Sequence, residues 1–281
     1  KTAIITVNQN KEIRKYSFAQ IDKKVNKIAN YIKKISTNKK LRIMIHASAS
    51  LESAVLMFAC AKLGLHFSVI FEELESLGIQ NRIKLFKPNI FFSRLSEKIF
   101  ISKMGFKSYN KIKFIYGEQL KKIIDTKENA KKVKNKIVDS PNSLFTLFTS
   151  GSTGVPKGIT HSTGGYLLYS KLTCQNQFGI NENSVVLTAS DAGWINGHTY
   201  SLFGPLSLGS TTILIEKPIS LIDIKLFKKI LSLKTSVVYL PVTLIRLIKS
   251  LNKNFTINKK YIKTLGSMGE PLAPSVAEWF S

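Results

Sequence analysis

Acidic residues are scarce in this sequence: 17 Asp and Glu stand against 42 Lys and Arg in 281 residues, a formal net charge of +25. Cysteine is scarcer still. Cys60, inside an apolar helical pattern, and the distant Cys174 make neither a disulfide framework nor a metal-ligand spacing, and they fit a reducing cytoplasm. The chain lacks a Gly-x-Ser-x-Gly elbow, a His-Glu-x-x-His pair and any Cys/His cluster, which argues against serine-hydrolase and metal-hydrolase chemistry. It also lacks a run of eighteen apolar residues, so no membrane span is expected, and its start has no small-residue cleavage site of a signal peptide. Because it begins at Lys1 rather than Met, a longer N-terminus is expected.

What is present is enough apolar residue, 44%, to bury a sizeable core in one large domain or two small ones. The positive charge ordinarily points to nucleic acid. Here the lysines are scattered among isoleucines and asparagines, and the runs Lys33-Lys34, Lys39-Lys40 and Lys131 to Lys136 fall at expected helix ends or in polar connections. A solvated face explains them, so no specific nucleic-acid partner is expected, while the general field favours polyanionic small molecules. Nucleic-acid binding remains a rival whose mark is affinity falling steeply with salt.

Ala3 to Val7 and Ile13 to Tyr16 read as strands, and Ser17 with Gln20 reads as a capping box opening a helix whose face carries Phe18, Ile21, Val25, Ile28 and Ile32. Strands at Leu41–His46, His66–Phe71 and Asn89–Phe92 alternate with helices at Leu51–Leu63, stopped by Gly64, and Leu74–Phe86. The middle, from about Ser93 to Ser140, reads as a strand or two with one helix. Glu72, Glu73 and Glu75 read as acids at a helix start, where they favour the macrodipole. A second alternation has strands at Val185–Ala189, Thr211–Glu216, Ser236–Leu240 and Tyr261–Leu265, with helices at Leu221–Leu233 and Val242–Leu251. The expected class is α/β, with parallel sheets covered by helices. No internal sequence repeat is evident, although two similar layers are.

One stretch is built to hold a polyphosphate. After the apolar run Ser143 to Phe148 comes Thr149-Ser150-Gly151-Ser152-Thr153-Gly154-Val155-Pro156-Lys157-Gly158. Gly151 and Gly154 let the backbone turn where a β-carbon would clash, so that N–H groups converge on an anion. The hydroxyls of Thr149, Ser150, Ser152 and Thr153 add donors, Pro156 stiffens the exit, and Lys157 supplies a mobile positive charge. It is not a Walker A loop, which needs Gly-Lys-Ser/Thr at its end. The bland alternative is a Ser/Gly linker, but linkers rarely follow a buried strand or end in Pro-Lys-Gly.

With His161-Ser162-Thr163-Gly164-Gly165-Tyr166, then Asp191-Ala192-Gly193-Trp194-Ile195-Asn196-Gly197-His198, and finally Gly266-Ser267-Met268-Gly269-Glu270-Pro271, this stretch resembles the adenylate-forming enzymes, and within them the acetyl-CoA synthetases. The resemblance implies that an acid is activated by ATP as an acyl-adenylate with release of pyrophosphate, and that the acyl group then passes to coenzyme A. It implies that Lys157 and Thr149 act in catalysis and that Ser150, Gly151, Ser152, Thr153 and Gly154 cradle the ATP phosphates with Mg²⁺ bridging their oxygens. Gly269, Glu270 and Pro271 would form the turn beside the purine, and Trp194, Ile195 and Asn196 would line the acyl pocket and the approach of coenzyme A. His198 and His161 are read as either packing or functional, and His46 and His66 are given no role.

Acetyl-CoA synthetases usually carry valine and threonine where this chain has Ile195 and Asn196, and valine where it has Met268, so propionate or another short-chain acid rivals acetate. No arginine for the coenzyme A 3′-phosphate is recognised between Ser93 and Lys113. The resemblance implies a partial N-terminal adenylation domain over 1–281, lacking the small C-terminal domain and inactive by itself. A non-catalytic nucleotide-binding module is the rival from another class. In open parallel sheets ligands gather beyond the carboxyl ends of strands, so the loop, the Asp191 block and the Gly269 turn are expected to line a common cleft.

Overall fold

The computed structural model describes residues 1–38, 40–105, 109, 111–128, 130–149, 156–251 and 260–280. Strands β1 (Thr2–Val7) and β2 (Ile13–Ser17) form a hairpin, followed by helix α1 (Phe18–Ile35). Then come β3 (Arg42–His46), α2 (Leu51–Lys62), β4 (His66–Ile70), α3 (Ser76–Phe86), β5 (Ile90–Ser93), α4 (Glu97–Met104), β6 (Lys113–Ile115) and α5 (Gly117–Asp125). A second hairpin, β7 (Ser143–Thr149) and β8 (Lys157–Ser162), leads to α6 (Thr163–Phe178) and β9 (Val185–Thr188). Short helices α7 (Ile195–His198) and α8 (Gly204–Ser207) flank a π turn at Thr199–Phe203. After them come β10 (Thr211–Ile215), a 3₁₀ turn at Pro218–Ile222, α9 (Ile224–Leu231), β11 (Val237–Pro241), α10 (Val242–Leu251), β12 (Thr264–Met268) and α11 (Pro274–Phe280).

The chain divides into two compact units, residues 19–167 and residues 1–18 with 168–281. Each holds one six-stranded sheet, in the orders β6-β5-β3-β4-β7-β8 and β12-β11-β9-β10-β1-β2. The two orders follow one plan. Four parallel strands stand in the order fourth, third, first, second, and a hairpin adds itself beside the second with its first strand parallel and its outer strand antiparallel. Each hairpin comes from the other half of the sequence: β1–β2 completes the later sheet and β7–β8 the earlier one. The expected parallel, helix-covered sheets are present, each with one antiparallel edge strand.

Local chemistry explains most boundaries. In α1 the apolar face buries Ile21, Val25, Ile28 and Ile32, each contributing about 1.5–3 kcal/mol. Phe18 does not join them; it is 36% exposed, and Ser17, directly before the helix, is the last residue of β2. Ser50 and Ser53 form the capping box of α2, and Gly64, at φ 60°, ends that turn in the left-handed region. Asp223 caps α9 by accepting from the N–H groups of Lys225 and Leu226, so the helix starts later than the apolar pattern suggests. The middle region departs from expectation by holding two helices, α4 and α5, around β6. From Thr126 to Asp139 the described chain is irregular, pinned by the Val133 N–H donating to Asn26 Oδ1 and by the Asn30 amide donating to the Lys131 carbonyl.

The core of the later sheet packs Ile5, Leu187, Ile213 and Val238 against Phe227, Ile230 and Ile245. In the earlier sheet, Met44, Ile70 and Phe91 pack against Ile79, Ile83 and Phe100.

Candidate nucleotide and acyl site

In the unit of residues 19–167, β7 buries Leu144 to Phe148 and surfaces at Thr149. Residues 150–155, and with them Ser150, Gly151, Ser152, Thr153 and Gly154, lie outside the described residues. The chain re-enters at buried Pro156 and forms β8, an edge strand that the sequence reading did not anticipate. Its register pairs Thr149 with Lys157 and Phe148 with Gly158, so the two described flanks of the expected phosphate loop are paired neighbours. Thr149 Oγ1 donates to the Lys157 carbonyl at 3.5 Å, and both side chains belong to exposed residues. Gly158 permits the close pairing: a β-carbon there would lie 3.0 Å from Thr146 and 3.1 Å from Phe148.

The histidines of this unit contact neighbouring side chains of β7 and β8 or of the central strands. His161 stacks on Phe145 with centroids 4.7 Å apart, and burial lowers its basicity. His66 Nε2 lies 2.8 Å from Thr146 Oγ1, which in turn contacts Thr160 Oγ1 at 2.7 Å. Burial, aided by the Arg42 charge, pushes His66 down to about 4.

His46, given no role from the sequence, is fully buried at the end of β3, with Nδ1 3.0 Å from Ser93 Oγ and Nε2 3.1 Å from the Glu72 carbonyl. Burial pushes its pKa down to about 4 against the opposing pull of Glu72. Glu72 is not a helix-start acid. It accepts from Arg94 through Nε at 2.6 Å and Nη2 at 2.9 Å, and from the Ser48 N–H at 3.3 Å. Burial raises its pKa, but those hydrogen bonds and the Arg94 charge outweigh it and hold the carboxyl below its usual range. Glu75 precedes α3 without making a side-chain cap.

In the other unit, β9, β11 and β12 are parallel neighbours, so the Asp191 block and the Gly269 turn leave the same carboxyl edge. Asp191 Oδ1 accepts from the Gly193 N–H at 2.8 Å, shaping the turn into α7. Gly197 is needed there, because a β-carbon would stand 2.1 Å from the Asp191 carbonyl oxygen. The tight packing turns Trp194 and Ile195 outward, 59% and 38% exposed, while Asn196 points its amide at Met268, Nδ2 to Sδ 3.1 Å. Thus the block and the turn, expected together, do meet through Asn196 and Met268. His198 is buried near Phe203, with Nδ1 3.2 Å from the Trp194 carbonyl.

Strand β12 runs three residues further than expected. Gly266 lies inside it because the Tyr239 ring approaches to 2.8 Å of where a β-carbon would sit. Met268 therefore ends the strand, and Gly269 turns the chain at φ 92°. Glu270 Oε2 accepts from Arg246 Nη1 of α10 at 3.0 Å, and Pro271 is exposed. Sequence reasoning missed Arg246 and the Glu72–Arg94 pair. A lone base on the polar face of a helix reads as solvated, and partners 22 residues apart leave no local signal.

Among the described residues no three His, Cys, Asp or Glu side chains gather as a metal site, and no helix is long and apolar enough to cross a membrane.

A family model described as AMP-binding enzyme matches residues 1–281. The acetyl-coenzyme A synthetase of Helicobacter pylori is 31% identical over 313 residues, an alignment covering 100% of this chain and 46% of that protein. Acetyl-coenzyme A synthetase 2 of Debaryomyces hansenii is 32% identical over 310 residues, covering 100% of this chain and 45% of that protein. The chain thus spans about half the length of the curated relatives it matches. The crystal structure of Brucella canis acyl-CoA synthetase matches with a TM-score of 0.83 at 16% identity, over 100% of this chain and 52% of that one, a likeness of fold.

Proposed function

Since the chain belongs to the AMP-binding enzyme family, we propose that the whole protein is an ATP-dependent acid–thiol ligase and that residues 1–281 form part of its adenylation domain. The acid is acetate or a similar short-chain acid. Its carboxylate oxygen attacks the α-phosphorus of ATP, the bond to the pyrophosphate oxygen breaks, and the coenzyme A thiol afterwards displaces AMP from the acyl carbon.

The first step brings two anions together, so the barrier is mainly one of charge and alignment. The observation that carries the reading is the pairing of Thr149 with Lys157 across the hairpin end, which sets a hydroxyl and an ammonium-bearing side chain at the two sides of the Ser/Gly/Thr loop. Lys157 balances charge on the phosphates, Thr149 donates to them, and Ser150, Gly151, Ser152, Thr153 and Gly154 offer hydroxyl and backbone N–H donors. Mg²⁺ would supply counter-charge to the polyphosphate, beside the hydroxyls of Thr149 and of the Ser/Gly/Thr loop. Gly269, Glu270 and Pro271 form the purine-side turn. Trp194, Ile195 and Asn196, exposed or half-buried at the same carboxyl edge as that turn, receive the acyl group and the thiol. Two buried free thiols, Cys60 and Cys174, support a cytoplasmic location.

The test is acid-dependent exchange of pyrophosphate into ATP by the whole protein. Lys157→Ala should slow exchange by about 10²-fold, the order lost when a charge-stabilising donor is removed, while the exposed position leaves the fold intact. Exchange at the parent rate refutes the assigned role. A series from acetate to butyrate identifies the acid.

A further inference from the structure

Helix α10 follows β11 without a connecting loop, and its apolar face is fixed by buried Val242, Leu244, Ile245 and Ile248. From its other face two bases one turn apart reach the segment after β12. Arg246 Nη1 donates to Glu270 Oε2 at 3.0 Å, and Lys249 Nζ donates to the Ser275 carbonyl at 2.6 Å. That segment needs support. Gly269 enters it at φ 92°, where glycine has the widest backbone freedom, and Gly269, Glu270, Pro271 and Ala273 to Ser275 are all exposed.

We propose that α10 is a splint for this turn and that Arg246 is a positioning residue for the nucleotide. The proposal rests on reading Gly269–Pro271 as the purine-side turn. Arg246 acts in two ways. It fixes the Glu270 side chain and so narrows the conformations open to the glycine, and it cancels a carboxylate charge that otherwise repels an approaching polyphosphate-bearing ligand. With the two side chains 47% and 39% exposed, the pair adds little to folding stability. Its removal is therefore expected to appear in nucleotide affinity rather than in the fold.

The test compares Arg246→Ala, Arg246→Lys and Gly269→Val in the whole protein by pyrophosphate exchange, recording KM for ATP, KM for the acid, and Tm. Arg246→Ala should raise KM for ATP about fivefold with the other two unchanged, as expected when binding of one ligand alone is lost. Arg246→Lys should recover most of it, because a cation is restored, and Gly269→Val should raise KM for ATP further. If Gly269→Val raises KM for ATP while Arg246→Ala does not, the turn binds nucleotide without its splint and the proposal falls alone. If neither changes KM for ATP, the assignment of the turn is wrong and the proposal falls with it. If Arg246→Ala raises both KM values, lowers Tm and is not rescued by lysine, Arg246 is only a structural residue.

Discussion

In the sheet β6-β5-β3-β4-β7-β8, side chains close the carboxyl ends of the central strands: His46 meets Ser93, and Glu72 joins Arg94 to the Ser48 backbone. In β12-β11-β9-β10-β1-β2 the corresponding ends carry exposed Trp194, Ile195 and the Gly269 turn. The hairpins show the reverse pattern. Asn8 Oδ1 closes the β1–β2 turn by accepting from the N–H groups of Asn10 and Glu12, both at 2.9 Å, whereas β7–β8 ends in exposed Thr149 and Lys157. In each sheet one of these carboxyl-edge features is satisfied internally, while the residues named at the other are exposed. The shared topology gives both sheets the same edges, and the two differ in which edge has its polar groups satisfied internally.

Both edges contain a Glu–Arg pair, and the two pairs should respond differently. Glu72 and Arg94 have side chains 12% and 14% exposed, against 39% and 47% for Glu270 and Arg246. Arg94→Ala leaves a buried carboxylate without its charged partner and is expected to cost about 3–5 kcal/mol, measured by urea unfolding. If Arg94→Ala destabilises no more than Arg246→Ala, the closed and open edges are not distinct.

The smaller effect depends on pH. In the unfolded chain His46 binds a proton at about its ordinary value of 6.5, whereas the native residue stays neutral down to about 4. The unfolded state therefore holds more protons between those values. Stability should fall as pH drops from 6.5 to 4, by about 3 kcal/mol in total from this residue, and be insensitive to it above 6.5. His46→Gln should flatten that part of the stability profile; an unchanged slope would assign it to other groups.

Much of this was legible in the sequence, for physical reasons that differ by element. The 3.6-residue period marked α1 and the apolar runs marked β3, β4, β7 and β9, because one-sided or complete burial imposes a pattern. The Gly269 turn was visible because its positive φ selects glycine. Strand β8 was not, since Lys157-Gly158-Ile159-Thr160-His161-Ser162 is an exposed edge with only one aliphatic residue. Nor were the Glu72–Arg94 and Glu270–Arg246 pairs, which exist only after distant segments fold together. The C-terminal boundary of β12 was misread because Gly266 looks like a strand exit until Tyr239 is seen packed against it.

Hydrogen exchange of the whole protein with and without ATP tests the contrast between open and closed edges most directly. ATP should slow exchange at residues 149–158 and 269–272 and leave the β1–β2 turn and the segments around His46 and Arg94 unchanged. Protection confined to those closed features, with none at the β7–β8 hairpin end, would contradict the account.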